Sequence, residues 1–237
     1  MQRPSITVPD LSERGRDGQT RDTRLFMQLL AYGQCVDTQP LIETLVEAGI
    51  DAVLYRDLHD PMGVALLTFS SDPNYFLDGV APLLRRRPFA QLSPKPQYTL
   101  FGRTYSLGYE PDLDEVLQHR PRRHALTPDW PWAVWYPLRR SGAFAQLPPD
   151  KQREILKEHG TLGMAFGAGD LAHDIRLACH GLDTHDNDFV LGLVGKDLHP
   201  LSALVQTMRK TQQTSTYLER LGPFFVGRAV YQSSLDV

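Results

Sequence analysis

The sequence predicts an α+β fold built from two similar halves. Three observations carry this. The chain has 237 residues, 41% of them hydrophobic, enough for one large domain or two smaller ones and too apolar for a disordered tail. Apolar runs and helical periodicities alternate in the order β-α-β-β-α-β, and that order occurs twice. The local signals also echo: LLTFSSDP (Leu66–Pro73) and LGLVGKDLHP (Leu191–Pro200) both read as strand, acidic turn and proline-led helix.

Met1–Arg24 has no apolar core of the signal-peptide kind, and Ser12–Arg24 is polar and aperiodic. A flexible arm over 1–24 is expected. The first half, 25–118, opens with the apolar run Leu25–Tyr32, a buried strand. Thr38 and Pro40 start a helix carrying Leu41, Ile42, Leu45 and Val46, which Gly49 ends. Ala52–Tyr55 and Gly63–Phe69 are strands around a turn with Asp60 and Pro61. Ser71-Asp72-Pro73 leads a helix with Phe76, Val80 and Leu83, and Tyr98–Gly108 is a further strand.

A Pro- and Arg-rich linker, 119–131, joins the second half, 132–237. There Trp132–Leu138 is a strand. Pro148-Pro149-Asp150 opens a helix to about Gly163. Ile175–Leu182 and Phe189–Val194 are strands, and His199-Pro200 begins a long helix whose apolar side includes Leu201, Leu204, Val205, Met208 and Leu218. Phe224–Tyr231 is the last strand. Two ferredoxin-like halves, antiparallel sheets with helices packed outside, account for this order. Joined, they make an α+β barrel of the dimeric type.

Composition excludes several function classes. Lys and Arg number 25 against 28 Asp and Glu, a net charge of −3, which disfavours a general phosphate-backbone binder and hence nucleic acid. Cys35 and Cys179 read as reduced thiols of a cytoplasmic protein. No apolar run approaches the roughly 18 residues of a membrane span. Gly-rich phosphate cradles, HExxH, CxxC and GxSxG are absent.

His159 shares a helix face with Ile155, Leu156 and Leu162, so it points with the apolar stripe rather than with Lys151, Arg153 and Lys157. Gly160 and Gly163 would let a flat ligand approach. Two readings stand: an axial imidazole ligand of haem iron, or a core histidine with one hydrogen bond. Arg120, Arg122 and Arg123 in the linker and Arg139 and Arg140 after Trp135-Tyr136-Pro137 suit a multiply anionic small ligand. A solvated surface is the alternative, and the reading preferred for Arg85–Arg87. The stretch Asp170, His173, Asp174, His180, Asp183, His185, Asp186 and Asp188 is dense enough for a metal, yet matches no closed spacing pattern, and turn formation explains Asp183–Asp188.

WYPLRRSGAFAQLPPDKQREILKEHG (Trp135–Gly160) resembles the chlorite dismutase-like haem proteins, among them the coproheme decarboxylases and the chlorite dismutases. The shared features are a Tyr-Pro-x-x-Arg strand end, a Leu-Pro and acidic helix start, and His-Gly on that helix. The similarity continues through CHGLDTHDNDFVLGL and MRKTQQTS…GPFFVGR.

The resemblance implies a haem site in the second half, with haem b or iron-coproporphyrin as the cofactor. It makes His159 the proximal iron ligand and Tyr136 the residue oxidised to a radical. Arg140, Arg209 and Thr214 or Ser215 become propionate partners. The other arginines, Arg122 among them, are expected to converge on the anionic porphyrin. The distal residue has several candidates: Ala172 or Arg176 by two counts that differ by an insertion, Asp174 between them, or His119 in the linker. Arg176 is preferred from DIRLACHG, and His119 could deprotonate peroxide. The implied reactions are peroxide-dependent decarboxylation of coproheme or decomposition of chlorite, in a homo-oligomer, commonly a pentamer in this family. A non-catalytic haem carrier or sensor is a third reading.

Overall fold

The computed structural model describes residues 7–234. The first half contributes strands β1 (Phe26–Gly33), β2 (Ala52–Asp57), β3 (Val64–Ser70) and β4 (Leu100–Arg103), with helices α1 (Gln39–Ala48) and α2 (Ala81–Leu84). After α3 (Arg120–Leu126), the second half adds β5 (Trp132–Arg140), α4 (Pro149–Ala168), β6 (His173–Ala178), β7 (Phe189–Gly195), α5 (Leu198–Met208), α6 (Gln212–Tyr217), β8 (Leu218–Leu221) and β9 (Phe225–Gln232).

The strand orders are β4-β1-β3-β2 and β6-β7-β5-β9, the same ferredoxin-like arrangement in each half. β2 pairs with β9 from Asp57 and Gly227 to Val53 and Gln232. On the opposite seam β4 meets β6 at the single pair Arg103 and Ala178. The eight strands therefore close on themselves, which leaves no free edge between the halves. β8 lies beside the end of β5 and extends the line of β9.

Strand alternation divides the apolar residues into three cores. Met27, Leu29, Tyr55, Leu67, Trp135, Ile175 and Phe225 fill the barrel. Leu41 and Leu45 of α1 cover Leu54 and Leu66 on the outer face of the first half. Leu201 and Leu204 of α5 cover Val134, Tyr136, Leu138 and Leu193 on the outer face of the second. Two glycines are required by geometry. Gly49 caps α1 with φ 61°, a left-handed conformation that side chains resist. Gly192 faces Trp135 across the β5–β7 ladder, where a Cβ would stand 2.6 Å from the indole.

Several expectations are corrected. The arm expected over 1–24 is fastened over its last part: Glu13–Arg14 pairs with Thr20–Arg21, and Glu13 binds Arg24 and Arg103. The linker expected over 119–131 contains α3, whose first turn accommodates Pro121. The strand expected over Tyr98–Gly108 is shorter, because the Thr104 hydroxyl turns away to bond Leu117. The expected Ile175–Leu182 strand begins earlier, at His173, and ends at Ala178. The Asp183 carboxylate organises the loop that follows, accepting from the backbone of His185 and Asn187. α4 runs past Gly163 to Ala168. The last long helix stops at Met208, so Leu218 starts a strand instead of ending a helix.

Candidate functional site

The helix-covered face of the second half is laid out by register. Directly opposed residues of antiparallel strands share a face. Tyr136 is opposite Leu191, and Leu191 opposite Arg176. The adjoining rows are Val134, Leu193, Asp174 and Leu138, Phe189, Ala178. One apolar floor thus carries Tyr136 near one end and Asp174 and Arg176 at the other, with Arg140 two residues beyond Leu138 on the same strand face.

Tyr136 is buried and stacks on Phe224 with ring centroids 4.7 Å apart. Burial pushes its phenol above the ordinary tyrosine range, and the nearby Asp174 carboxylate adds to this. Arg209 stands on the opposite side electrostatically and favours the phenolate.

α4 brings His159 over this face. Burial, then the Arg140 charge, holds its imidazole down at about 4, so the ring is neutral at pH 7. Its Nδ1 lies 3.3 Å from the Thr211 hydroxyl oxygen, and that hydroxyl is 2.8 Å from the Met208 carbonyl. A hydroxyl has one proton. Given to Met208, it leaves a lone pair toward His159, so Nδ1 donates and Nε2 keeps its own lone pair. An imidazole in this tautomer is a metal ligand with its partner in place. A Cβ added at Gly160 would meet nothing, so the surface beside His159 is open.

The arginines separate into two groups. Arg140 lies between Phe144 and Phe189, its Cζ 4.9 and 4.5 Å from the ring centroids. Burial lowers its pKa, and its Nε is buried without a partner. Arg176 is half-buried beside Asp174, its Nε 3.0 Å from the carboxylate; burial opposes its charge, and Asp174 together with Tyr105, Tyr109 and Glu110 outweighs burial. Arg120 is near Arg176 and Asp174, with its pKa lowered by burial and then by Arg176. Arg209 is exposed and lines two cavities. One, about 420 Å³, also has Thr214 and Arg220; the other, about 520 Å³, has Val134, Val205 and Phe224.

The remaining expected residues lie elsewhere. Arg122 binds Asp51 of the first half at 2.6 Å, so it is removed from the convergence expected of it. Arg123 binds Glu115, and Arg139 binds Asp186. His119 is exposed, beside Asp114 and Glu115. Ser215 turns its hydroxyl back to Thr211, while Thr214 faces the cavity with Arg209. Ala172 is buried among apolar residues. Among the described residues no group of three or more His, Cys, Asp or Glu is placed to hold a metal ion, so the acidic stretch 170–188 forms no such site.

Three residues of this region were not singled out by sequence. Thr211 lies within MRKTQQTS, but the sequence assigns it no role. Phe189 enters the sequence reading only as the start of a strand, yet its ring lies against the Arg140 guanidinium. Tyr105, from the first half, packs on Phe189 at 5.5 Å and is near Arg176 and Arg140. Only the barrel closure brings it there.

The family model described as chlorite dismutase matches residues 74–230. A heme-binding protein from Thermus thermophilus is similar in structure at a TM-score of 0.69 and 20% identity, covering 95% of this chain and 96% of that one. The chlorite dismutase from Candidatus Nitrospira defluvii in complex with imidazole aligns at 0.66 and 13% identity, over 89% of this chain and 93% of that one. At these identities the likeness is one of fold. No curated protein matches in sequence. No helix among the described residues is long and apolar enough to cross a membrane.

Proposed function

Because the chain belongs to the chlorite dismutase family, we propose that it is a haem-binding oxidoreductase that decarboxylates iron-coproporphyrin with peroxide. Tyr136 carries this reading: a buried phenol on the apolar floor of the second half, close enough to Arg209 and Asp174 to feel both charges.

The residues fit a haem. His159 offers Nε2 in the right tautomer. Arg140 holds a buried, unpartnered Nε toward an anion. Nothing crowds Gly160. His159 would hold the iron, and Arg140, Arg209 and Thr214 the propionates, by charge-assisted hydrogen bonds. When bound, the haem supplies the oxidising power that peroxide delivers.

Tyr136 does the rest at its Oη. Burial disfavours the phenolate, so the phenol gives up proton and electron together. The oxygen then takes a hydrogen from the propionate, which leaves as carbon dioxide with a vinyl group behind. Each propionate gives up one proton and two electrons, and these, with one further proton from solvent, reduce one peroxide to two waters. The Tyr136–Phe224 stack keeps water from the radical. His119, next in the chain to Arg120, is our candidate base for incoming peroxide.

Purified protein mixed with coproheme and peroxide, followed by product mass, tests the reading. Porphyrin that loses no carbon dioxide overturns it. Chlorite decomposition is the second reading and rests on Arg176, which shares a row with Tyr136. The Asp174 carboxylate on Arg176 Nε disfavours it, because a paired guanidinium is a weaker partner for an oxyanion. Oxygen release from chlorite that disappears in Arg176→Ala would establish it. A haem carrier or sensor would bind the cofactor and do neither.

A further inference from the structure

β4 and β6 meet at one pair, Arg103 with Ala178. β4 ends there because Thr104 turns away: its hydroxyl accepts from the Leu25 backbone at 2.9 Å and donates to the Leu117 carbonyl at 2.8 Å. From Leu177 back to His173, β6 therefore has β7 along one edge and, among the described residues, no strand along the other. A backbone carbonyl on such an edge needs a partner from elsewhere. His124 of α3 supplies one. Its Nδ1 lies 3.0 Å from the Asp174 carbonyl oxygen. A carbonyl only accepts, so Nδ1 carries the proton and donates it.

Two further rings hold this imidazole. It is buried, and burial lowers its pKa to about 4, so the ring is neutral at pH 7. Trp130 and His173 both meet it edge-on with centroids 5.4 Å away, and those two rings stack on each other at 3.5 Å. His173 is tied in turn: its Nε2 is 2.8 Å from the Asp170 carboxylate, which also binds Lys196. The His124 ring is thereby fixed, and its bond to Asp174 has a set direction.

Asp174 takes its place from this bond. Its side chain projects onto the floor in the row of Val134 and Leu193, and its carboxylate lies 3.0 Å from Arg176 Nε. Both side chains are partly open to water, and an ion pair so placed does little to fix its own geometry. The backbone beneath it must do so. Asp174 is the second residue of β6, at the end of the strand where opening starts. His124 anchors the backbone at that end.

We propose that His124 is a positioning residue that sets which class of oxidant the site takes. By holding the Asp174 backbone it keeps the Asp174 carboxylate on Arg176, and so withholds that guanidinium from a small anion above the floor. Peroxide is uncharged and loses nothing by this. An oxyanion such as chlorite loses a charge-assisted hydrogen bond. The proposal rests on the haem oxidoreductase reading above and adds to it a control over the oxidant.

Methylglyoxal labelling of the apoprotein, read peptide by peptide by mass spectrometry, measures how free each arginine is. His124→Leu removes the donor and should speed labelling of Arg176 about threefold or more, the scale of one lost hydrogen bond. His124→Asn, whose amide nitrogen takes the place of Nδ1, should return it to the wild-type rate. Arg140 should label alike in all three proteins. Asp174→Asn should speed Arg176 as much, and adding His124→Leu to it should speed it no further. Unchanged labelling of Arg176 in His124→Leu overturns the proposal. So do an equal rise at Arg140, which means general loosening, and additive effects in the double variant. Should His124→Leu fail to fold, His124→Gln, whose amide falls at the Nε2 position, decides. In the haem-loaded protein His124→Leu should tighten fluoride about threefold and leave imidazole, an uncharged ligand, unmoved. Fluoride that binds as in wild type removes the control over the oxidant. Wild type that releases no carbon dioxide from coproheme overturns the decarboxylase reading, and the labelling result stands apart from it. Carbon dioxide release together with wild-type labelling in His124→Leu overturns the role of His124 alone.

Discussion

Tyr136 and Arg176 leave the same sheet face from one register row, with Leu191 between them. Adjacent strands are about 4.8 Å apart, so the two Cα atoms are roughly 10 Å apart, the scale of a flat macrocycle. A phenol and a guanidinium at opposite ends of an apolar floor can act on different parts of one ligand. Tyr136→Phe keeps the ring and its stack on Phe224 and removes only the reactive oxygen. Decarboxylation should fall about a hundredfold or more, with haem affinity within about threefold of wild type. Single-turnover kinetics and a haem titration check the pair, and retained turnover would remove Tyr136 from the chemistry.

The Thr211 hydroxyl fixes the His159 tautomer. Thr211→Val removes the acceptor at almost the same volume, and Thr211→Ser restores it. Haem affinity should drop about tenfold in Thr211→Val and recover in Thr211→Ser, the usual scale for a ligand's hydrogen-bond partner. The iron–histidine stretch of the ferrous protein should shift down in the first variant and return in the second. An unmoved stretch would show that Thr211 does not orient the imidazole.

The arginines are a direct comparison of two fates. Arg140 and Arg122 both have a buried Nε without a partner, but Arg122 also holds Asp51 through its Nη2 at 2.6 Å, whereas Arg140 sits between the Phe144 and Phe189 rings. Arg140→Ala should weaken porphyrin binding about tenfold or more. Arg122→Ala should leave it unchanged and cost about 0.5–1 kcal/mol in urea unfolding, the worth of a half-exposed ion pair. A reversed pattern would move the anion site to α3.

This contrast shows where the sequence was readable. Clustering of arginines is visible in the chain, but their partners are not. Asp51, Glu115 and Asp186 lie 71, 8 and 47 residues from the arginines they neutralise. The duplicated order was legible because alternation and proline-led helix starts are local signals. His159 was legible because it shares an apolar stripe with Ile155. Tyr105 was not, since its place depends on a register between halves, fixed only when the barrel closes at Arg103 and Ala178. The fastening of Glu13–Arg24 was hidden for the same reason: a polar segment reads as loose until Arg103 is known to meet Glu13.

Two histidines make stability depend on pH. His124 is buried, its Nδ1 3.0 Å from the Asp174 carbonyl, and burial lowers its pKa to about 4; burial likewise lowers His159 to about 4. Both sit below the unfolded value of about 6.5, so the unfolded chain binds more protons between these limits. Stability is full above about pH 6.5 and falls as pH drops toward 4. The loss per histidine is on the order of 3 kcal/mol at most. Urea midpoints of the apoprotein measured from pH 7.5 to 4.5 should decline over this window. His124→Gln should flatten part of the decline, and an identical slope would show that His124 is not a source of it.

Gly192 is the sharpest test of the barrel itself. It lies opposite Trp135, with no room for a methyl group: a Cβ would sit 2.6 Å from two carbons of the indole. Trp135 is itself buried in the barrel core with Tyr55 and Phe225 around it, so the ring cannot swing away freely. Gly192→Ala should therefore destabilise by about 1–3 kcal/mol or more, the scale of overpacking a dense interior. Trp135→Phe in the same chain should recover part of that loss, because the smaller ring frees the space the methyl needs. Trp135→Phe alone should destabilise, since it leaves a void against Gly192. A double-mutant cycle in urea reads the coupling, and additive effects of the two changes would mean that Trp135 does not lie over Gly192.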